Sequence, residues 1–327
     1  MTSFNLQPTR SYIQASALPD VVERYIDDAR LRRLKPETVA SYEYLLSLLL
    51  EWWVEAGPAL HYELDERAWQ RYAGWLADRP NSQSGEKLSL TVQKKAVVLC
   101  RQMLKWCFRY GLLDRDYAYQ LPKINGNPPL RSLPSPDDLA RLMEAAGQSF
   151  RPVRDQAILA VLIGTGMRRA ECAGLSVEDV EFYADGGGEI AIHQAKLDKP
   201  RRVAFDAVCG EYLLLLLDEL GRQAGPLFTE WKDRRLSAKG VGEAVKRALR
   251  AAGLDQRGRG AHDLRRYFTT DWQRHRRSLG DGELLSMQLG HTGKSAQSMS
   301  VYYSRQTFDD LQSGFTSPLS RLKKPDS

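Results

Sequence analysis

The segment Gly164-Thr165-Gly166-Met167-Arg168-Arg169-Ala170-Glu171 ends a strongly apolar helical pattern and turns the chain at two glycines. Glycine suits the end of a helix because it adopts a left-handed backbone without steric cost. Arg168 is therefore predicted to project from a turn, where its planar guanidinium can bind two phosphate oxygens at once. Glu171 follows three residues later and can fix the orientation of Arg168. The alternative interpretation is an ordinary surface arginine after a helix.

A β-hairpin is predicted next, because large apolar residues alternate with small or polar ones in residues 189–193 and again in residues 202–205, and a turn-like stretch separates the two segments. Lys196 lies at the end of the first strand, near the turn. A lysine in that position can reach into a groove and protonate a leaving oxygen. Lys199 is the alternative candidate for this role, and basic residues that serve only solubility are the plainer explanation for both.

His262 and Arg265 lie three residues apart at the start of a predicted helix, after the irregular loop 258–261. This spacing places both side chains on one face. A helix N-terminus favours a nearby anion, and an imidazole exchanges protons near neutral pH. The pair is therefore a candidate phosphate site, although a surface pair is the default for so short a motif.

Leu289-Gly290-His291 and the two tyrosines that follow complete the set of candidate groups. Tyr302 and Tyr303 lie eleven and twelve residues after His291. A tyrosine phenolate is a covalent nucleophile that divides one displacement into two steps. At least one of two adjacent tyrosines is expected to be a half-buried aromatic residue without a catalytic role.

Length, charge and cysteine content are consistent with a DNA-binding protein of two domains. The 327 residues exceed a typical single domain, and the net charge is +6. No stretch has the layout of a signal peptide or the length of a membrane span, and four scattered cysteines suggest neither disulfides nor zinc, so a cytoplasmic location is expected. Basic residues form two clusters, at Lys196, Lys199, Arg201 and Arg202, and at Arg257, Arg259, Arg265, Arg266, Arg274, Arg276 and Arg277. Such clusters suit a polyanion, and a solvated charged helix face is the alternative interpretation of each.

Helical periodicity dominates the chain on both sides of a proline-rich stretch. Residues 18–121 predict a bundle of four or five helices, and residues 122–134 a linker. Residues 135–327 predict a second domain of helices around the hairpin. The termini, residues 1–17 and 318–327, are predicted to be weakly ordered tails.

The order arginine, lysine, His-x-x-Arg, Leu-Gly-His, tyrosine resembles the tyrosine recombinase (phage integrase) family, in particular its Xer-like and Cre-like members. The resemblance implies a mainly α fold with a small antiparallel hairpin or sheet. It implies that residues 18–121 form a helical core-binding (SAM-like) DNA-binding domain and residues 135–327 the catalytic domain. In this chain Ala195-Lys196-Leu197 stands where the family usually has Gly-Lys-Gly, and the tyrosines lie two to three residues further from His291 than usual.

Catalytic and binding roles follow from the same resemblance. Tyr303, within Tyr303-Ser304-Arg305, is expected as the nucleophile, with Tyr302 as the alternative and Glu171 in support. The other expected catalytic residues are Arg168, Lys196, His262, Arg265 and His291. The expected DNA contacts are Lys199, Arg201, Arg202, Arg259 and Arg266.

The implied activity is site-specific recombination of double-stranded DNA through a 3′-phosphotyrosyl intermediate. DNA integration, excision of a mobile element, dimer resolution and cointegrate resolution are all compatible with it. The activity needs no metal, ATP or other cofactor. The implied partner is an inverted-repeat core site, bound by a homodimer at each site and a homotetramer in the synapse, with the enzyme near the nucleoid and away from membranes. A type IB topoisomerase, a telomere resolvase and a non-catalytic DNA-binding relative are the alternatives.

Overall fold

The computed structural model of the protein describes residues 18–56, 66–81, 85–113, 115–126, 132–193, 200–256, 259–275, 281–290 and 317–322. The chain divides into two compact units between residues 131 and 132. The described residues are mainly helical, with one small antiparallel sheet. The fold class predicted from the sequence is confirmed.

The first unit is a helical bundle around an aromatic core. Ser89 caps the helix Leu90–Arg109, because its hydroxyl accepts the main-chain N–H of Val92. The side chains of Trp52, Trp69 and Tyr72 are almost fully buried, and the rings of Trp52 and Tyr72 lie 5.2 Å apart. The helices are α1 (Leu18–Leu31), α2 (Pro36–Ala56), α3 (Glu66–Asp78) and α4 (Leu90–Arg109), followed by a short 3-10 helix at Ala118–Gln120.

The second unit surrounds one helix, α6 (Pro152–Thr165), whose residues from Ala157 to Thr165 are all buried. Helices on several sides cover α6, which explains why its sequence is apolar all round rather than amphipathic. A capping box between Ser135 and Asp138 begins α5. The helices are α5 (Pro136–Gly147), α6 (Pro152–Thr165), α7 (Arg169–Gly174), α8 (Ala207–Leu220), α9 (Ala238–Ala251), α10 (Ala261–His275) and α11 (Asp281–Leu289).

The sheet has the antiparallel order β1 (Val180–Phe182), β2 (Gly188–Ile192) and β3 (Arg201–Phe205). In the predicted hairpin Ile190 pairs with Val203, and both are buried. The strand β1 was not predicted as a separate element, because three residues are too few to show a period of two. Short α7 also escaped prediction, since six residues make less than two helical turns.

The C-terminal prediction was wrong in part. A 3-10 helix spans Pro318–Arg321, and Leu319 is buried in the core of the second unit. The main-chain N–H of Ser317 donates to Asp206 at 2.6 Å, which fastens the segment to the start of α8. Two leucines, Leu319 and Leu322, in a short polar stretch give too little periodic signal, so composition alone suggested a tail. The predicted tail at residues 1–17 lies outside the described residues.

Hydropathy gives no sign of a membrane span. No helix among the described residues combines the length and the apolar composition that crossing a bilayer requires.

The close packing around Gly166 makes a specific prediction about stability. Gly166 has φ of +66°, and a Cβ atom there would lie 2.5 Å from the Phe268 ring. Gly221, with φ of +60°, has no such neighbour within 4 Å. We expect Gly221→Ala to lower the free energy of unfolding by about 1–2 kcal/mol, from backbone strain alone. Gly166→Ala adds overpacking, for a total loss of about 2–5 kcal/mol. Urea denaturation measures both, and equal losses would mean that Phe268 moves aside freely.

Candidate active site

Arg168 lies between α6 and α7, on an extended residue that begins α7. Its main-chain N–H donates to Glu171 Oε2 at 2.8 Å, and its Nη1 donates to Glu171 Oε1 at 2.9 Å. One carboxylate therefore caps α7 and orients the guanidinium at the same time. This geometry agrees with the local prediction that Arg168 leaves a turn with Glu171 beside it.

Arg201 lies 30 positions after Glu171 in the chain and binds the same carboxylate. Its Nη1 and Nη2 donate to the two oxygens of Glu171 at 3.0 and 2.9 Å. The side chain of Arg201 is 11% exposed and that of Glu171 is 3% exposed. The sequence suggested that Arg201 contacts DNA; in the structure its guanidinium instead forms a buried, two-pronged ion pair with Glu171. Nothing in the local sequence signalled this pairing, because 30 positions separate the two residues.

The protonation of Glu171 reflects two opposed effects. Burial alone would raise the pKa of Glu171, but hydrogen bonds from Arg201 and from Arg168 outweigh burial, so the pKa lies below its ordinary value of 4.5. Glu171 is therefore ionised at neutral pH and offsets part of the positive charge of its two arginine partners.

Arg265 is buried at the centre of the site. Its Nη1 donates to the carbonyl of Gly166 and its Nη2 to the carbonyl of Leu289, both at 2.8 Å. Carbonyl oxygens fix a guanidinium in place without neutralising its charge. Arg265 thus joins the turn after α6 to the end of α11.

Three arginines meet at the C-terminal end of α11. The carbonyls of residues 288, 289 and 290 accept, in chain order, from Arg201 at 3.5 Å, Arg265 at 2.8 Å and Arg168 at 3.3 Å. A helix leaves its last carbonyls without partners inside the helix, and its C-terminus carries a partial negative charge. The end of α11 therefore gathers three guanidiniums that lie far apart in sequence, directly before position 291.

His262 lies in the first turn of α10 and is exposed. The neighbouring carboxylate of Asp263 is buried and accepts from the main-chain N–H of Gly260 at 3.1 Å, so it stabilises the helix start. It also accepts from Arg266 at 3.2 Å. The structure therefore places the imidazole at the surface and Arg265 in the interior, one turn along the same helix.

The remaining basic candidates have different surroundings. Arg202 is exposed and pairs with Glu181 and Glu189 on the sheet. Arg259 Nη1 is buried without a hydrogen-bond partner among the described residues. The predicted residues Lys196, Lys199, His291, Tyr302 and Tyr303 lie outside the described part of the chain.

Gln288 is a polar residue of this site that sequence reasoning missed. Its side chain is fully buried and hydrogen-bonded to main-chain atoms of Thr165 and Ala204. A signal was present, because Gln288 lies three residues after Leu285 and so on the apolar face of α11. A glutamine on a buried helix face must find partners, but the sequence does not say which.

The sequence of this chain is similar to those of known proteins. The family model described as "Phage integrase family" matches residues 135–308. Tyrosine recombinase XerC of Lactobacillus delbrueckii subsp. bulgaricus is 26% identical over 296 residues, covering 85% of this chain and 94% of that protein. Tyrosine recombinase XerD of Vibrio cholerae is 25% identical over 304 residues, covering 89% and 94%.

Solved structures share the fold. A lambda integrase dimer bound to a COC′ core site superimposes with a TM-score of 0.63 at 15% identity, over 86% of this chain and 76% of that chain. The XerH site-specific recombinase in a post-cleavage complex with palindromic difH substrate gives a TM-score of 0.62 at 21% identity, over 90% and 83%. At these identities the likeness is one of fold.

The charge of Glu171 predicts a pH dependence of stability. Because its folded pKa lies below 4.5, its contribution is fully present above that pH and is lost as the pH falls through the folded pKa. We expect Glu171→Gln to lower the free energy of unfolding by about 3 kcal/mol near pH 7, since it leaves the buried Arg201 charge unpaired. The difference from the unmodified protein should shrink as the pH falls below about 4.5.

Urea denaturation at a series of pH values measures this difference. Glu181→Gln is the matched control, because Glu181 pairs with Arg202 at an exposed position. It should change stability by less than about 0.5 kcal/mol at any pH. A difference for Glu171→Gln that stays constant with pH would contradict the assignment.

Proposed function

The chain belongs to the phage integrase family and is a tyrosine site-specific recombinase, and we propose that it breaks and rejoins duplex DNA through a covalent phosphotyrosyl intermediate. The resemblance predicted from the sequence motifs is confirmed. The single observation that carries the chemical proposal is the meeting of Arg168, Arg201 and Arg265 at the end of α11. Two of these are the arginines that the family resemblance marks as catalytic.

Charge stabilisation is the role proposed for Arg168 and Arg265. Displacement at phosphorus places negative charge on the non-bridging oxygens, and preorganised donors that meet this charge lower the barrier. Main-chain carbonyls hold the guanidinium of Arg265 and one nitrogen of Arg168, so little reorganisation is needed when a phosphate arrives. Arg201 acts on the reaction through Glu171, which it holds in place.

The covalent step is proposed for Tyr303. Its phenolic oxygen gives its proton to the imidazole of His262 and attacks the scissile phosphorus, the bond from phosphorus to the 5′ oxygen breaks, and a 3′-phosphotyrosyl link forms. Lys196 donates a proton to the departing 5′ oxygen, and Lys199 is the alternative donor. The 5′ hydroxyl of the partner strand then attacks the phosphotyrosine and releases the tyrosine. Because the covalent link conserves the energy of the broken ester, the cycle requires neither ATP nor a metal ion.

His262 and His291 are proposed to assist at the phosphate. The imidazole of His262 is exposed in the first turn of α10. There it can contact a ligand that arrives from solvent and donate a hydrogen bond or exchange a proton. His291 follows the carbonyls that hold the arginines, which supports a place for it beside the same phosphate. Lys199, Arg202, Arg259 and Arg266 are proposed to contact the DNA backbone.

The assembly is proposed by analogy with relatives. A lambda integrase tetramer has been solved on a Holliday junction, and the XerH complex contains palindromic DNA. We propose that this chain binds an inverted-repeat site as a homodimer and joins two sites as a homotetramer. In this proposal residues 18–121 form the core-binding domain, residues 135–327 form the catalytic domain, and the enzyme works at the nucleoid.

The alternatives receive less support. The relatives and structures matched above are recombinases and integrases, which does not favour a type IB topoisomerase or a telomere resolvase. The buried Glu171 ion pairs also stabilise the fold, so a non-catalytic DNA-binding relative would need them as well. Formation of a covalent adduct separates this last alternative from an enzyme.

The nucleophile is tested with a nicked suicide substrate, on which the cleaved strand diffuses away and traps the covalent adduct. Tyr303→Phe should bind this DNA normally and form no adduct, because it lacks the attacking oxygen. The matched control Tyr302→Phe should form the adduct at the normal rate, also in the presence of EDTA. Denaturing gels measure the adduct. Reversed results for the two variants would assign the nucleophile to Tyr302, and no adduct with the unmodified protein would refute the proposed function.

The proton donor is tested by changing the leaving atom. Lys196→Ala should slow cleavage of normal DNA by about 100-fold or more, as expected for the loss of a general acid. It should recover on a substrate whose 5′-bridging oxygen is replaced by sulfur, because a thiolate leaves without a proton. Lys199→Ala is measured alongside under single-turnover conditions. Rescue of Lys199→Ala alone would identify Lys199 as the proton donor. Rescue of neither variant would indicate that both lysines only contact phosphates.

A further inference from the structure

We propose that Gln288 is a positioning residue for strand cleavage. Its side-chain amide fixes the end of α11 relative to β3 and to the turn after α6. It thereby fixes the arginines that bind to this helix end. The inference rests on the proposed function, since it concerns the geometry of the same site. Gln288 is not itself placed to touch the phosphate, because its side chain is fully buried.

The amide of Gln288 pairs with β3 as a neighbouring strand would. Its Oε1 accepts the main-chain N–H of Ala204 at 3.0 Å, and its Nε2 donates to the carbonyl of Ala204 at 2.8 Å. Strand β3 has β2 on its other side, so these two groups are the outward-facing pair of an edge residue. The amide meets both of them at once, which fixes the position of α11 along the strand.

The same nitrogen extends to the third segment of the site. Gln288 Nε2 also donates to the carbonyl of Thr165 at 3.3 Å. Thr165 is the last residue of α6 and directly precedes Gly166, whose carbonyl holds Arg265. One side chain therefore connects the strand that begins with Arg201, the turn that leads to Arg168, and the helix end that binds both.

Packing around the helix end leaves little room for displacement. A Cβ atom at Gly290 would lie 2.6 Å from Cζ of Arg201, and one at Gly166 would lie 3.2 Å from Cδ2 of Leu289. A shift of α11 would therefore press on the arginines or draw its carbonyls away from them. Apolar contacts of Leu285 and Leu289 also hold α11, but such contacts are not directional. The hydrogen bonds of Gln288 are directional, so they fix the position of α11 along β3.

A glutamine with a purely structural role would stabilise the fold without positioning the arginines. Substrates with a charged and with a neutral scissile group distinguish this role from the proposed positioning role. A methylphosphonate at the scissile position replaces one non-bridging oxygen by a methyl group and is neutral. Its cleavage depends less on precisely placed guanidiniums than cleavage of a normal phosphate does. A defect that acts through arginine geometry should shrink on this substrate, whereas a defect in folding should be equal on both.

The experiment compares Gln288→Met with Gln156→Met in the full-length protein. Gln156 lies in α6 and also donates its side-chain amide to a carbonyl, that of Met143, at 3.2 Å. Methionine has a similar length and cannot make these bonds. Adduct formation is measured in single turnover on phosphate and methylphosphonate substrates, with DNA affinity and thermal unfolding recorded for each variant. Arg265→Ala serves as the reference for a lost arginine.

We expect Gln288→Met to bind DNA normally and to cleave the phosphate substrate about 10- to 100-fold more slowly, the effect of displacing catalytic groups by a fraction of an ångström. On methylphosphonate its deficit should fall to about 3-fold or less, in parallel with Arg265→Ala. Gln156→Met should cleave both substrates at the normal rate. If Gln288→Met does not fold, Gln288→Asn, which keeps the amide but shortens its reach, is measured in the same way.

Two results would overturn the inference. One is a normal cleavage rate for the folded Gln288 variant on the phosphate substrate. The other is an equal deficit on both substrates, which would indicate a structural role. Both results presuppose an active unmodified enzyme, so they are distinct from failure of the proposed function, in which the unmodified protein forms no adduct.

Discussion

Three successive carbonyls at the end of α11 each accept a hydrogen bond from a different arginine, and the geometry of the site depends on this contact. The arginines are residues 168, 201 and 265, so a span of nearly a hundred positions converges on one helix end. Placing several guanidiniums together is unfavourable unless oriented dipoles or anions oppose their repulsion. The C-terminal end of a helix supplies such dipoles, because its last carbonyls point outward without partners in the helix.

Glu171 provides the ionic part of the same balance. Its carboxylate accepts hydrogen bonds from Arg168 on one side and Arg201 on the other, while Arg265 is held by carbonyls. The carboxylate removes part of the positive charge, and the carbonyls remove none. Three guanidiniums and one carboxylate give the described part of the site a net positive charge that suits a phosphate, and the guanidiniums are already oriented before any ligand is bound. This is the arrangement that electrostatic catalysis requires, since little reorganisation accompanies the reaction.

Sequence reasoning succeeded where the determinants are local. The turn at Gly166, the orientation of Arg168 by Glu171 and the hairpin of β2 and β3 all depend on residues close together in the chain. It did not predict hydrogen-bond partners that lie far away in the chain. Arg201 in a basic cluster looks like a DNA contact, because its carboxylate partner is 30 positions distant. The partners of Gln288 are more distant still, at Thr165 and Ala204.

The non-local contacts also explain why the site and the fold are hard to separate. The buried helix α6 ends at Gly166, and the same residue packs against Phe268 of α10 and against Leu289 of α11. A larger residue there would move apart the two helices that bring Arg265 to the carbonyl of Leu289. The positions of these arginines are therefore set by backbone approach in the core rather than by flexible surface side chains. Because close-packed interiors resist small displacements, the core that stabilises the second unit also keeps its arginines in fixed positions relative to one another.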